Sequence, residues 1–140
     1  MKEYSRNKLQ ELTANAIYVV LTYRHMGEDV DVEGILSSLF ECDYSEVPLY
    51  AKAVVVATLR HYGEEVALLE KNMRRWKFER LNRVEQAILL LSLSNFFYNE
   101  EKPDKKVVIS VAVNLAHQYL DASDYKFVNA ILDKVLVRDA

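Results

Sequence analysis

The sequence predicts an all-α protein, a compact single-domain helical bundle of about seven helices spanning residues 1–140. Three observations lead there. Glycine and proline are scarce, three and two in 140 residues, whereas a strand-rich domain consumes both in its turns. Neither Asn-Gly nor Asp-Gly, the strong hairpin dipeptides, occurs. Apolar residues recur at the helical period through most of the chain.

The elements follow in order. Leu9, Leu12, Ala16, Ile17 and Val20 mark a first amphipathic helix with Tyr18 at its end. Residues 30–40 (VDVEGILSSLF) read as a short second helix. Pro48 suits the first turn of a third, which runs to about Tyr62 before Gly63 interrupts it. Val66, Leu69 and Met73 mark a fourth. Residues 84–98 are apolar on nearly every face, the pattern of a central helix. Pro103 and Asp104 supply a loop and an N-cap for a sixth, which carries Val107, Val108, Val111, Ala112, Leu115, Ala116, Tyr119 and Leu120. Its segment VVISVAV is rich in β-branched residues, but a strand requires alternation and the period here is helical. Phe127, Val128, Ile131, Leu132, Val135 and Leu136 mark the last helix. Residues 26–30, 41–46 and 99–104 read as loops.

Composition narrows the class. Apolar residues make up 51% and charged residues 28%, as in ordinary globular proteins. The net charge of −3 excludes a globally basic nucleic-acid binder but not a local basic patch. Cys42 is the only cysteine, so no intramolecular disulfide forms. With His25, His61 and His117 scattered, no metal site is expected. The opening MKEYSRNKLQEL has no apolar core of signal-peptide length. The longest apolar stretch, Ala87 to Tyr98, is broken by Ser92, Ser94 and Asn95 and falls short of the roughly 20 residues that span a bilayer. A soluble, cytoplasmic protein with no membrane partner is expected. GxSxG, HExxH, P-loop and GxGxxG motifs are all missing, so neither an enzyme nor a cofactor is expected.

The charges are more informative. Basic residues cluster at Lys2, Arg6 and Lys8, at Lys71, Arg74, Arg75, Lys77, Arg80 and Arg83, and at Lys102, Lys105 and Lys106. Each cluster reads either as a solvated helix face or as a phosphate-binding surface. Tyr4, Tyr18, Trp76, Tyr125 and Phe127 accompany them. Single-stranded RNA is held by cations on phosphates and by aromatic rings on splayed bases. Tyr18 serves equally as a rim residue of the core or as a binding residue, and Trp76 reads as a packing anchor.

Four segments resemble one family. SRNKLQELTANAIY resembles R-x-x-A-R-x-x-A-[LV]-Q-A-L-Y, and WKFERLNRVEQAIL resembles W-x-[LI]-x-R-[LI]-x-x-V-[DE]-[RK]-A-[IV]-L. PDKKVVISVAVNLA resembles P-x-x-V-[AS]-[IM]-N-E-A-[IV]-E-L-A-K, and YKFVNAILDKVL resembles K-F-V-N-G-[VI]-L-D-K. These are motifs of the bacterial transcription antitermination factor NusB family, and they stand here in the family's order over nearly the whole chain. Departures fall at Gln86, Leu90, Asn95, Ser110, Val111, His117 and Ala130.

The resemblance implies a fold of about seven helices and a non-enzymatic role without cofactors. It implies binding of boxA-type single-stranded RNA together with ribosomal protein NusE, acting indirectly on the RNA polymerase elongation complex at ribosomal RNA operons. By position it assigns RNA contacts to Lys2, Arg6, Lys8, Tyr18, Lys126, Phe127 and Asn129, the last three expected at the N-terminal end of the final helix. It assigns NusE contacts to Tyr18, Glu79 and Glu85, with the two acids facing basic residues of NusE. The alternative is a divergent NusB-like module that binds proteins without boxA specificity. A surface kept for a partner can also support a homodimer.

Overall fold

A computed structural model of the chain describes residues 3–74 and 77–138. Among these residues the elements are α1 (Arg6–His25), α2 (Val32–Phe40), α3 (Leu49–Arg60), α4 (Tyr62–Lys71), α5 (Arg83–Tyr98), α6 (Lys105–Tyr119) and α7 (Ala122–Val135). Two 3-10 turns, Tyr44–Glu46 and Phe78–Arg80, complete the order, and no strand occurs among the described residues. The helical period of VVISVAV thus prevails over its β-branched content. No helix among them is long and apolar enough to cross a membrane.

α5 is the axis of the bundle. Every residue from Ala87 to Phe96 is buried, and α1, α3, α4, α6 and α7 all pack on it. Its buried hydroxyls are satisfied, one within the helix and one by α4. Ser92 donates to the Ile88 carbonyl at 2.7 Å, and Ser94 donates to Glu65 at 2.7 Å. Leu90 is fully buried in this helix, so a charged residue there would have no place.

Three helices open on side-chain caps. Ser5, Asp31 and Asn82 accept from the backbone N–H of Lys8, Gly34 and Glu85 at 3.1, 3.0 and 2.8 Å, opening α1, α2 and α5. α1 closes at Gly27, whose φ of 73° lets Glu28 N–H reach the Tyr23 carbonyl at 2.9 Å and Gly27 N–H reach Arg24 at 3.1 Å. Asp104 occupies the N-cap of α6 as expected, but its side chain makes no capping bond.

Four boundaries differ from expectation. α1 runs to His25, so Tyr18 sits in the middle of the helix and not at its end. The break after α3 falls at His61 and not at Gly63, which lies inside the first turn of α4. His61 takes φ −111° and ψ 17°, and its ring stacks on Tyr98 at 3.8 Å, so the ring contact fixes the bend. α4 ends at Lys71, leaving Met73 buried beyond it. α7 begins at Ala122, a full turn before Lys126.

Candidate nucleic-acid and partner interface

Helical spacing sets Lys8, Glu11, Asn15, Tyr18, Thr22 and His25 along one face of α1, away from the buried Thr13, Ala16, Ile17 and Val20. The stripe rises about 26 Å. Lys8 lies 3.9 Å from Glu11 with its side chain 55% exposed, a solvated pair of small energetic weight. The Tyr119 hydroxyl of α6 hydrogen-bonds Glu11, and burial, then that bond, raises its pKa above the ordinary tyrosine value. Tyr18 and Tyr119, both exposed, flank a small apolar slot floored by Ala14, Val84, Ala87, Ile88 and Leu115.

Arg83, the first residue of α5, joins this stripe. Its Nη1 donates to Thr22 Oγ1 at 3.2 Å, and its guanidinium lies 5.9 Å from the Tyr18 ring centroid. Thr22 Oγ1 in turn donates to the Tyr18 carbonyl at 2.9 Å. Beyond Arg83 opens a polar cleft of about 420 Å³ lined by Arg24, His25, Tyr62, Phe78, Glu79 and Gln86 among others. Arg24 stacks over Tyr62 at 4.0 Å, a contact that leaves its N–H edge available. Among the described residues no carboxylate forms an ion pair with Arg24 or Arg83. The Phe78–Arg80 turn is held from both sides. Phe78 N–H donates to Glu70 at 2.8 Å, and the Gln86 amide donates to the Phe78 carbonyl at 2.8 Å.

A second cleft, of about 380 Å³, opens on the other side of the α5 start and is lined by Arg80, Leu81, Asn82, Glu85, Asp124 and Phe127. Here two expectations are corrected. Glu85 does not face outward. It is only 4% exposed, and burial, reinforced by Asp124, pushes its carboxyl up to about 7. Lys126, Phe127 and Asn129 are not at a helix N-terminus. They lie in the second and third turns of α7, where the backbone N–H groups are already bonded within the helix. The true N-terminus carries Asp121 and Asp124, which repel a phosphate.

The remaining expected residues fall as follows. Lys8, Tyr18 and Glu79 border the α1 stripe and its polar cleft. Arg6 is exposed but sits about 120° around α1 from Tyr18. Lys126 and Asn129 are exposed on α7, and Phe127 is half-buried in the Glu85 cleft. No described contact or cleft joins Tyr18 to these α7 residues. The first turn of α5 separates the two faces, with Arg83 and Val84 on one side and Glu85 on the other. Lys2, Arg75 and Trp76 lie outside the described residues. Lys105 is engaged internally, donating to the Asp133 carbonyl at 2.6 Å. Sequence reasoning misses Thr22, Arg24 and Tyr119 as site residues, although the spacing 8, 11, 15, 18, 22, 25 is a signal for the stripe.

The fold and this face define the class first: an all-helical domain that presents cations and aromatic rings on one candidate interaction surface. The model of the NusB family matches residues 7–137, and the chain belongs to that family. Transcription antitermination protein NusB of Treponema denticola is 37% identical over 87 residues, 62% of this chain and 63% of that protein, so the match spans under two thirds of the relative's length. T. maritima NusB shares the fold with a TM-score of 0.79 at 20% identity, covering 96% of this chain and 92% of that one. A structure of antitermination factors NusB and NusE in complex with dsRNA matches with a TM-score of 0.70 at 23% identity, covering 95% and 98%.

Proposed function

We propose that this chain, as one domain over residues 1–140, is a cytoplasmic transcription antitermination factor that binds boxA-type single-stranded RNA jointly with ribosomal protein NusE and so modulates RNA polymerase on ribosomal RNA operons. It acts by binding, without a reaction or cofactor of its own. The observation that carries this reading is the α1 stripe, where Lys8, Tyr18, Tyr119 and Arg83 line up cations and rings on a protein whose net charge is −3. Such a surface suits phosphates and unstacked bases. Family membership and the likeness to the NusB–NusE complex with RNA support it.

Roles follow from position. Lys8 and Arg83 meet phosphates, and Tyr18 and Tyr119 offer rings. Arg6 opens α1 and, with Lys2 by its place in the sequence, offers further phosphate contacts. Lys126, Phe127 and Asn129 form a second contact face across the α5 turn. Glu79, at the rim of the Arg24–Arg83 cleft, is the acid offered to basic residues of NusE. The test is the affinity for a boxA-like strand and a scrambled strand, each with and without NusE. Tighter, sequence-selective binding with NusE supports the reading. Equal binding of both strands favours the protein-interaction module instead.

A further inference from the structure

The C-terminal end of α5 and the start of α3 border a cleft of about 330 Å³. Its middle is apolar, formed by Leu49, Ala53 and Val54 with the rings of Tyr50 and Tyr98. The Tyr50 hydroxyl donates to Gln10 at 2.7 Å, which fixes that ring. His61 stacks on one face of Tyr98 at 3.8 Å, so what Tyr98 offers the cleft is its other face and edge. The outer end is acidic, with Glu100 and Glu101, and no Lys, Arg or His lines the cleft.

The inner end is Ser94, and a second acid stands directly behind it. The Ser94 hydroxyl donates to Glu65 Oε2 at 2.7 Å and lies 2.8 Å from Thr58 Oγ1. Glu65 is only 2% exposed, and its Oε1 has no hydrogen-bond partner among the described residues. A buried acid with an unmet oxygen is costly, and a cation brought to it recovers part of that cost. The protein supplies no such cation. No ion pair joins Glu65 to α3, α5 or α7 among the described residues. The charge that acts on it is Glu64, which is itself engaged by the Tyr98 hydroxyl at 3.4 Å and lies 3.6 Å from His61 Nδ1.

We propose that this cleft binds a linear aliphatic diamine, with one ammonium at Ser94 in front of the Glu65 carboxyl and the other between Glu100 and Glu101. The methylenes lie along Leu49, Ala53 and Val54, and the inner ammonium meets the free face of Tyr98. Acids at both ends of an apolar passage distinguish this ligand from others. A monoamine, or a lysine side chain of another protein, leaves one end unanswered. A hard divalent metal ion calls for six or so oxygens, which this aliphatic and aromatic lining does not provide. Burial holds the Glu65 carboxyl up to about 8, so it enters the encounter protonated at neutral pH. An adjacent ammonium favours the carboxylate, so binding releases that proton to solvent. The cleft lies about 22 Å along α5 from Arg83, so the inference does not rest on RNA binding.

The test is titration of the full chain with 1,4-diaminobutane and 1,5-diaminopentane, read by calorimetry and by amide chemical shifts. Butylamine and Nα-acetyl-lysine methylamide are the single-charge controls. A diamine should bind about tenfold more tightly than either control. Shifts should gather at Ala53, Val54, Ser94 and Tyr98, while Asp29 and Asp31, acidic but with no buried acid behind them, stay put. Affinity should rise severalfold between about pH 6.5 and 8.5 as proton release becomes easier. Glu65→Gln, which keeps an acceptor for Ser94, should weaken binding about tenfold at the upper pH and abolish the rise. Glu100→Gln with Glu101→Gln should bring the diamines down to the butylamine level. Circular dichroism checks that each variant keeps its helices. No binding of either diamine up to about 10 mM would overturn the proposal. So would equal binding of a single-charge control, shifts spread over every acidic surface, or a pH dependence that survives Glu65→Gln.

Discussion

Arg83 holds Tyr18 in place from a neighbouring helix. Its guanidinium lies 5.9 Å from the ring centroid while Nη1 donates to Thr22 Oγ1 at 3.2 Å, one turn along α1. The contact ties the start of the central helix to the middle of the first.

Arg83→Ala should cost about 1 kcal/mol of stability, from one hydrogen bond and one partly exposed cation–ring contact. Arg83→Lys keeps the charge but not the planar fork, and should recover only part of that. Urea denaturation of the three proteins measures both. Equal stability of all three would mean that the contact does not form in solution.

Stability should fall as pH rises from about 4.5 to 8. Burial pushes the Glu65 carboxyl up to about 8, opposed in part by the Ser94 hydrogen bond and reinforced by Glu64, and Glu85 is pushed up to about 7. Both folded pKa values exceed those of the unfolded chain, so in this window the fold binds protons that the unfolded chain releases. The stability of the protonated form is therefore full at the acid end and lost as pH climbs through the folded values. Glu65→Gln, which keeps an acceptor for Ser94, should flatten the upper part of this slope and raise stability at pH 8, on the order of 2 kcal/mol. Thermal melts at several pH values decide the matter, and a parent protein that gains stability towards pH 8 would contradict the burial of these acids.

Two glycines should respond in opposite directions. Gly27 has φ 73°, and Gly27→Ala should destabilise by about 1 kcal/mol. Gly63 lies in the first turn of α4, where a Cβ would meet nothing within 4 Å, and Gly63→Ala should stabilise by roughly 0.5 kcal/mol. Urea denaturation reads both changes. A destabilised Gly63→Ala would restore the break at Gly63 that the sequence suggests.

That contrast shows what the sequence makes legible. Helix content and the central place of residues 84–98 follow from local spacing, whereas Asp104, the cap the sequence offers, makes no capping bond and the caps that do form stand at Ser5, Asp31 and Asn82. The bend at His61 does not, because it depends on Tyr98, far along the chain. Tyr18 and Lys8 are legible as candidates from charge and aromatic placement. The burial of Glu85 is not, since its position in a motif says nothing of Asp124 and Phe127, which line the same cleft. Nor is the start of α7, where Asp121, Ala122 and Ser123 open the helix ahead of the motif that begins at Lys126.

The most direct test of the α1 stripe is the salt dependence of RNA affinity, in the presence of NusE, for the parent chain and for Lys8→Ala combined with Arg83→Ala. Each lost phosphate contact to a single strand lowers the slope of log affinity against log salt by about 0.7, so the double variant should lose about 1.4. An unchanged slope, with RNA still bound, would place the phosphates elsewhere and contradict the account.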